Sequence, residues 1–192
     1  GKVIDHMFFD GLEDAYDKGR LMGTFAEDCA QAQGFSRQAQ DDFAIASLTR
    51  AQQAIENGSF AAEIVPVEVT EGRQTRLVSH DEQPPKARLD KIPQLRPAFR
   101  EGGSVTAANS SSISDGAAAI VLCGSDAHDG SRPFVRLRAT AQANDIMPTS
   151  QRDMSELAGA RVAWQRLLDS AKLTLDDLDS VEVHDCFTIA EL

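Results

Sequence analysis

No stretch of about eighteen apolar residues occurs in this chain, so nothing in it reads as a membrane-spanning helix. The N-terminus lacks the charged, then apolar, then small-residue succession of a secretory signal. Cysteine is scarce. Cys29, Cys123 and Cys186 are odd in number and unrelated in spacing, which argues against a disulfide framework and for a reducing compartment, with the cytoplasm as the expected one. Positive charge is short as well: 19 basic against 30 acidic residues leave a formal net charge of −11. Such a surface repels nucleic acid and anionic lipid, so neither is expected as a partner, and any anionic ligand must be met by a local basic cluster. The glycines follow neither phosphate-loop pattern, and no Gly-x-Ser-x-Gly elbow is present. His6, His80 and His128 are scattered without ligand spacing, so no metal site is expected. An initiator methionine is missing too, and the chain stops soon after a new element begins, so both ends read as internal.

The 192 residues suffice for a sizeable core, as one large domain or parts of two. Thr24 and Glu27 have capping-box spacing, which predicts a helix running to Gln33 and ending at Gly34. Ser36 caps a longer helix to Asn57, with Ala39, Phe43, Ala46, Ala51, Ala54 and Ile55 as its apolar stripe and Asn57-Gly58 as its left-handed stop. Residues 63–69 alternate toward a strand that Pro66 confines to an edge or a bulge. Residues 72–96, with Arg73, Arg76, Lys86, Arg88, Lys91 and Arg96 around Pro84-Pro85, read as a long, exposed, locally basic excursion.

Residues 104–116 are mostly small and polar, which lets backbone and ligand approach closely. The apolar run 117–123 that follows has no two-residue period and predicts a strand buried on both faces, as in a layered α/β core. A second strand is expected over 134–141, an amphipathic helix over 157–168, a short turn capped by Thr174, and a last strand at Val181 and Val183.

At that strand's end stand His184, Asp185 and Cys186. Residues two apart on extended backbone share a side, so the imidazole of His184 and the thiol of Cys186 face the same way, an arrangement that can yield a nucleophilic thiolate. The same spacing fits a satisfied histidine and a buried, inert thiol. The basic excursion likewise reads either as a solvated loop or as a rim that meets phosphates by charge-assisted hydrogen bonds.

Several segments, in this order, resemble the thiolase family, enzymes that make or cleave a 3-oxoacyl-CoA by acyl transfer to CoA. Asp10-Gly11-Leu12-Glu13-Asp14-Ala15 and Met22-Gly23-Thr24-Phe25-Ala26-Glu27 are similar to the start of the family's inserted CoA-binding loop domain. Residues 36–44 resemble its Ser-Arg-x-x-Gln-Asp-x-Phe-Ala helix. Leu95-Arg96-Pro97-Ala98-Phe99, Val105-Thr106-Ala107-Ala108-Asn109-Ser110-Ser111 and Asp115-Gly116-Ala117-Ala118 resemble the return into the core. His184-Asp185-Cys186-Phe187 stands where most thiolases read Asn-Glu-Ala-Phe, and is similar to the type associated with sterol carrier protein 2.

The resemblance implies an α/β fold: part of the layered αβαβα thiolase core, with an inserted α+β loop domain. Residues 1–103 would be the CoA-binding loop domain, 104–131 the last strand of the N-terminal core and a linker, and 132–192 the start of the C-terminal core. Met22, Ala107, Ser111, Met154 and Phe187 would border the CoA tail. His184 would polarise an oxyanion, and Cys186 would add an accessory thiol distinct from the family's acylated cysteine. Leu21 replaces a histidine usual in the tunnel loop. The acylated cysteine, the His-Pro-x-Gly histidine and the second catalytic cysteine of the family have no counterpart in these residues, so the segment alone is expected to be inactive. Coenzyme A and acyl-CoA are expected as substrates with no tightly bound cofactor, and a homodimer or homotetramer as the assembly. A non-catalytic CoA-binding module, or a retained fold in which Cys186 performs other acyl chemistry, are the alternatives.

Overall fold

The computed structural model describes residues 3–114, 116–127, 129–131, 133–148, 151–153 and 156–192. After one exposed π-helical turn, Phe8–Leu12, the Asp14 carboxylate accepts from the backbone N–H groups of Tyr16 and Asp17 at 2.8 and 2.6 Å. That turn brings Leu21 back to bridge Glu13. Helix α1, Met22–Gln33, begins there and ends at Gly34, whose φ of 73° needs a residue without a Cβ. The expected capping box is not formed. Thr24 Oγ1 instead donates to the Leu21 carbonyl at 2.7 Å, and Glu27 is drawn away to a more demanding partner described below.

Helix α2, Arg37–Glu56, is capped as expected: Ser36 Oγ accepts from Ala39 N–H at 3.1 Å. Its buried face differs from the expected apolar stripe, because Gln40, Asp41 and Ala44 point inward. Gly58, with φ 73°, turns the chain out of it.

Only the far end of the expected strand 63–69 is extended in a ladder. Strand β1, Val67–Glu71, starts after Pro66, which has no N–H to donate, and pairs antiparallel with β2, Gln74–Val78, in the register Val67↔Val78 to Glu71↔Gln74. The basic excursion is therefore more ordered than its composition implied. It contains β2, the short helix α3, Gln83–Lys86, and a 3-10 helix, Leu89–Gln94. Gln52 Nε2 donates to the Pro84 carbonyl at 2.8 Å and fastens α3 to α2.

The buried core is small. Ala26, Ala30, Val105 and Ile189 pack together, with Cys29, Phe35, Phe99 and Phe187 against them. Phe99 and Phe187 meet edge to face with centroids 6.2 Å apart, a geometry that favours the ring quadrupoles. A Cβ on Gly23 would run into the Phe99 ring, so α1 can approach only through a glycine. Burial pushes the Cys29 thiol above its ordinary pKa, with the Asp153 charge adding to the effect.

Three expected strands are not formed. Residues 117–123, 134–141 and 181–183 hold no ladder, and Ile120, Val121 and Val135 are 84, 94 and 98% exposed. Two-sided burial needs strands on both edges and helices on both faces; among the described residues the only sheet is β1–β2. Helix α4, Ala158–Ala171, runs three residues beyond the expected end. The Thr174 cap forms as a capping box with Asp177. No helix among the described residues is long and apolar enough to cross a membrane.

Candidate functional site

The loop at 104–111 is small-residue chain that would be mobile by composition, yet it is held by three buried polar side chains. Glu27, on α1 and 4% exposed, accepts from Val105 N–H with Oε1 and from Ser104 N–H with Oε2, both at 2.9 Å. A Cβ at Gly103 would collide with that carboxylate, which explains the glycine there. Gln40, fully buried on α2, donates to Ser104 Oγ at 2.9 Å. Asn109, 1% exposed, accepts from Thr106 N–H at 2.7 Å and donates to the Ser104 carbonyl at 3.1 Å and Asp41 Oδ1 at 3.3 Å. Buried charges are tolerated only when paired or multiply hydrogen-bonded. Glu27 meets this with two backbone donors, and Asp41 meets it with Arg37 Nε at 2.7 Å.

The end of the chain returns to this loop. Ser111 N–H donates to the Cys186 carbonyl at 2.9 Å, Thr188 N–H to the Asn109 carbonyl at 3.1 Å, and Ser110 bridges Phe187. A groove of about 600 Å³ opens between this paired edge and α2. Its walls include Ala107, Ser111, Asp185 and Thr188 on one side, and Phe43, Ile92 and Leu95 on the other; Lys86, Arg88 and Lys91 stand at its rim. This is the size range of a small-ligand site, apolar with a few polar groups.

The rim cations are exposed, and each has a partner on its own segment, Arg88 holding Asp90 through two hydrogen bonds. Lys86 pairs with Glu82 at 3.0 Å, Arg88 with Asp90 at 2.8 Å, and Lys91 donates to Gln94 at 3.4 Å. Hydrogen bonds from Lys86 and Arg76 hold the Glu82 carboxyl below its usual pKa. Pairs this exposed contribute little to stability. Among the described residues no group of three or more His, Cys, Asp or Glu side chains is placed to hold a metal ion.

The residues singled out in the sequence are distributed as follows. Ala107 and Ser111 line the groove and are exposed to it. Cys186 is half-buried beside it and Phe187 packs into the core against Phe99, so neither lines it. His184 is exposed and also off the lining, while Asp185 between them faces the groove, as alternation along extended backbone requires. Met22 is half-buried at the start of α1, away from the groove. Met154 lies outside the described residues. Sequence reasoning missed Glu27, Gln40, Asp41 and Asn109 as anchors. The signal was available: Arg37, Gln40, Asp41 and Ala44 recur at helical spacing, a largely polar stripe on the inward face.

A polar loop anchored to two helices thus borders a basic-rimmed groove that is apolar with a few polar groups. Residues 1–126 match the family "Thiolase, N-terminal domain", and the chain belongs to the thiolase family. It is 38% identical over 190 residues to the acetyl-CoA acetyltransferase of Escherichia coli, covering 97% of this chain and 46% of that protein. With the mitochondrial acetyl-CoA acetyltransferase of Bos taurus it shares 38% over 195 residues, 100% of this chain and 44% of that one. The crystal structure of the Bacillus anthracis acetyl-CoA acetyltransferase superposes with a TM-score of 0.87 at 31% identity, covering 100% of this chain and 47% of that one. The fold is thus part of the thiolase α/β fold. The chain spans about half the length of the curated relatives it matches.

Proposed function

We propose that this chain is part of a thiolase that transfers an acyl group between a 3-oxoacyl-CoA and CoA, or condenses two acetyl-CoA, through an acyl-cysteine. The observation that carries the reading is the groove: Ala107 and Ser111 on one wall, cations at the rim, and the 184–188 segment along the edge. In this reading the CoA tail lies against Ala107 and Ser111, with Phe187 supporting the wall from the core; Met22, which does not line the groove, and Met154 are assigned to the tail by family resemblance alone. Lys86, Arg88 and Lys91 meet the nucleotide phosphates through charge-assisted hydrogen bonds.

The His184-Asp185-Cys186-Phe187 tetrapeptide supports a finer assignment, to the type associated with sterol carrier protein 2. His184 then donates to the thioester oxygen as negative charge develops on it, an interaction stronger in the transition state than in the ground state. Cys186 is accessory to that centre. The acylated cysteine and the base belong to parts of the enzyme beyond these residues, so the segment alone is inactive. The same reading assigns 1–103 to the CoA-binding loop domain, 104–131 to the end of the N-terminal core and 132–192 to the start of the C-terminal core. It also assigns the protein to fatty acid metabolism in the cytoplasm, as a homodimer or homotetramer with no tightly bound cofactor.

The test uses the protein at its natural length. His184→Ala is expected to lower turnover of acetoacetyl-CoA by about 10²–10³-fold while CoA affinity, measured by calorimetry, stays unchanged. Equal turnover removes His184 from the mechanism. A wild-type protein that neither binds CoA nor cleaves acetoacetyl-CoA overturns the reading as a whole.

A further inference from the structure

We infer that Asn109 is a positioning residue that sets the width of the groove, through a buried link in which the Arg37–Asp41 pair on α2 holds both walls. On one side, Arg37 Nη2 donates to the Ile92 and Leu95 carbonyls at 3.1 and 2.9 Å, and both residues line the groove. On the other side, the partner of Arg37, Asp41, accepts from Asn109 Nδ2 at 3.3 Å. Asn109 then passes its position on twice. Its Oδ1 fixes Thr106 N–H at 2.7 Å, just ahead of Ala107, and its own carbonyl receives Thr188 N–H at 3.1 Å. One ion pair therefore reaches both walls, one through guanidinium and the other through amide.

The chemistry at position 109 is restrictive. The side chain must accept from one N–H and donate to two oxygens while 1% exposed. Aspartate has the right shape and the wrong donors: it would set a carboxylate against Asp41 and the Ser104 carbonyl. Asn109→Asp is thus a near-isosteric way to loosen the link without leaving a cavity. The consequence for turnover rests on the acyl-transfer reading above, whereas the structural content of the link does not.

The experiment compares Asn109→Asp, the milder Asn109→Ser and the control Ala30→Gly, which lies in the adjacent core and outside the link, all in the natural-length protein. Acetoacetyl-CoA thiolysis is measured per folded molecule, and hydrogen exchange is followed at the Ser111 and Thr188 amides. Displacement of a positioned wall is expected to raise KM for CoA and lower kcat, each by roughly tenfold for Asn109→Asp, with a smaller loss for Asn109→Ser. Exchange at Ser111 and Thr188 should quicken in both variants. Ala30→Gly should lower the melting temperature and leave KM and kcat unchanged. Wild-type constants in either Asn109 variant that folds, or the same losses in Ala30→Gly, overturn the inference. If the wild-type protein has no thiolysis, the acyl-transfer reading fails by itself, and the exchange data still decide the link: unchanged protection at Ser111 and Thr188 sinks it.

Discussion

The two helices with the loop they hold, and the three apolar segments at 117–123, 134–141 and 181–183, are about equally convincing as core when read by composition, yet they end in opposite environments. The helical region buries few apolar groups and a dense set of polar ones, among which Glu27, Gln40, Asp41 and Asn109 each have a partner within this chain. The apolar segments carry the strongest strand pattern and remain exposed, with Val121 at 94%. The difference teaches that hydrophobicity states a demand for burial, while complementary hydrogen bonding also names the partner. A carboxylate facing two N–H groups can be satisfied by one pair of residues; a valine can be satisfied by any apolar surface that reaches it.

The largest expected effect tests the apolar side of that contrast. Val121→Asp should shift the unfolding free energy of the 192-residue chain by less than about 0.5 kcal/mol, as for any exposed site. In the natural-length protein the same change should cost about 4 kcal/mol or more, if an unpaired charge is then buried. Similar small values in both would show that the segment is exposed in both.

Glu27→Gln tests the polar side. One oxygen becomes an NH₂ facing the N–H of Ser104 or Val105, so a buried donor loses its acceptor at a cost of about 1–3 kcal/mol, read from urea unfolding. A neutral result would mean that the loop is held by its other bonds. Gly23→Ala should cost about 1–3 kcal/mol by overpacking against Phe99, without altering the Glu27 contacts.

The smallest effect concerns an exposed cap. Hydrogen bonds from the Thr174 N–H and hydroxyl hold the Asp177 carboxyl below its usual pKa. A lowered folded pKa means that the contribution is present above the unfolded value of about 3.9 and is lost as pH falls through the lower folded one. The stability gap between wild type and Asp177→Asn should therefore be constant above pH 5 and shrink on acidification. A gap that grows toward low pH would reverse the assigned direction.

Legibility in the sequence followed the same division. The Ser36 cap, the Gly34 and Gly58 stops and the Thr174 box were readable because each is decided within four residues. The Thr24–Glu27 box was not, because Glu27 has a tertiary use for its carboxylate that outcompetes the local one. The strands failed because pairing is non-local, and their partners are absent from the described residues. At the site, family resemblance named Ala107 and Ser111, which line the groove, and equally Met22, His184, Cys186 and Phe187, which do not. The anchors behind the first two were hidden by the habit of looking for apolar residues on the inward face of a helix.

The bonds from Glu27, Gln40 and Asp41 to the loop connect residues 64 to 78 positions apart. During synthesis at about 5–20 residues per second, α1 and α2 would therefore wait several seconds for Ser104, Val105 and Asn109 to emerge from the ribosome. Throughout that interval Glu27 stands without the two N–H groups it later accepts from, whereas Asp41 already has Arg37 on its own helix. The lock on the groove therefore closes in two stages, one local to α2 and one that waits for the loop.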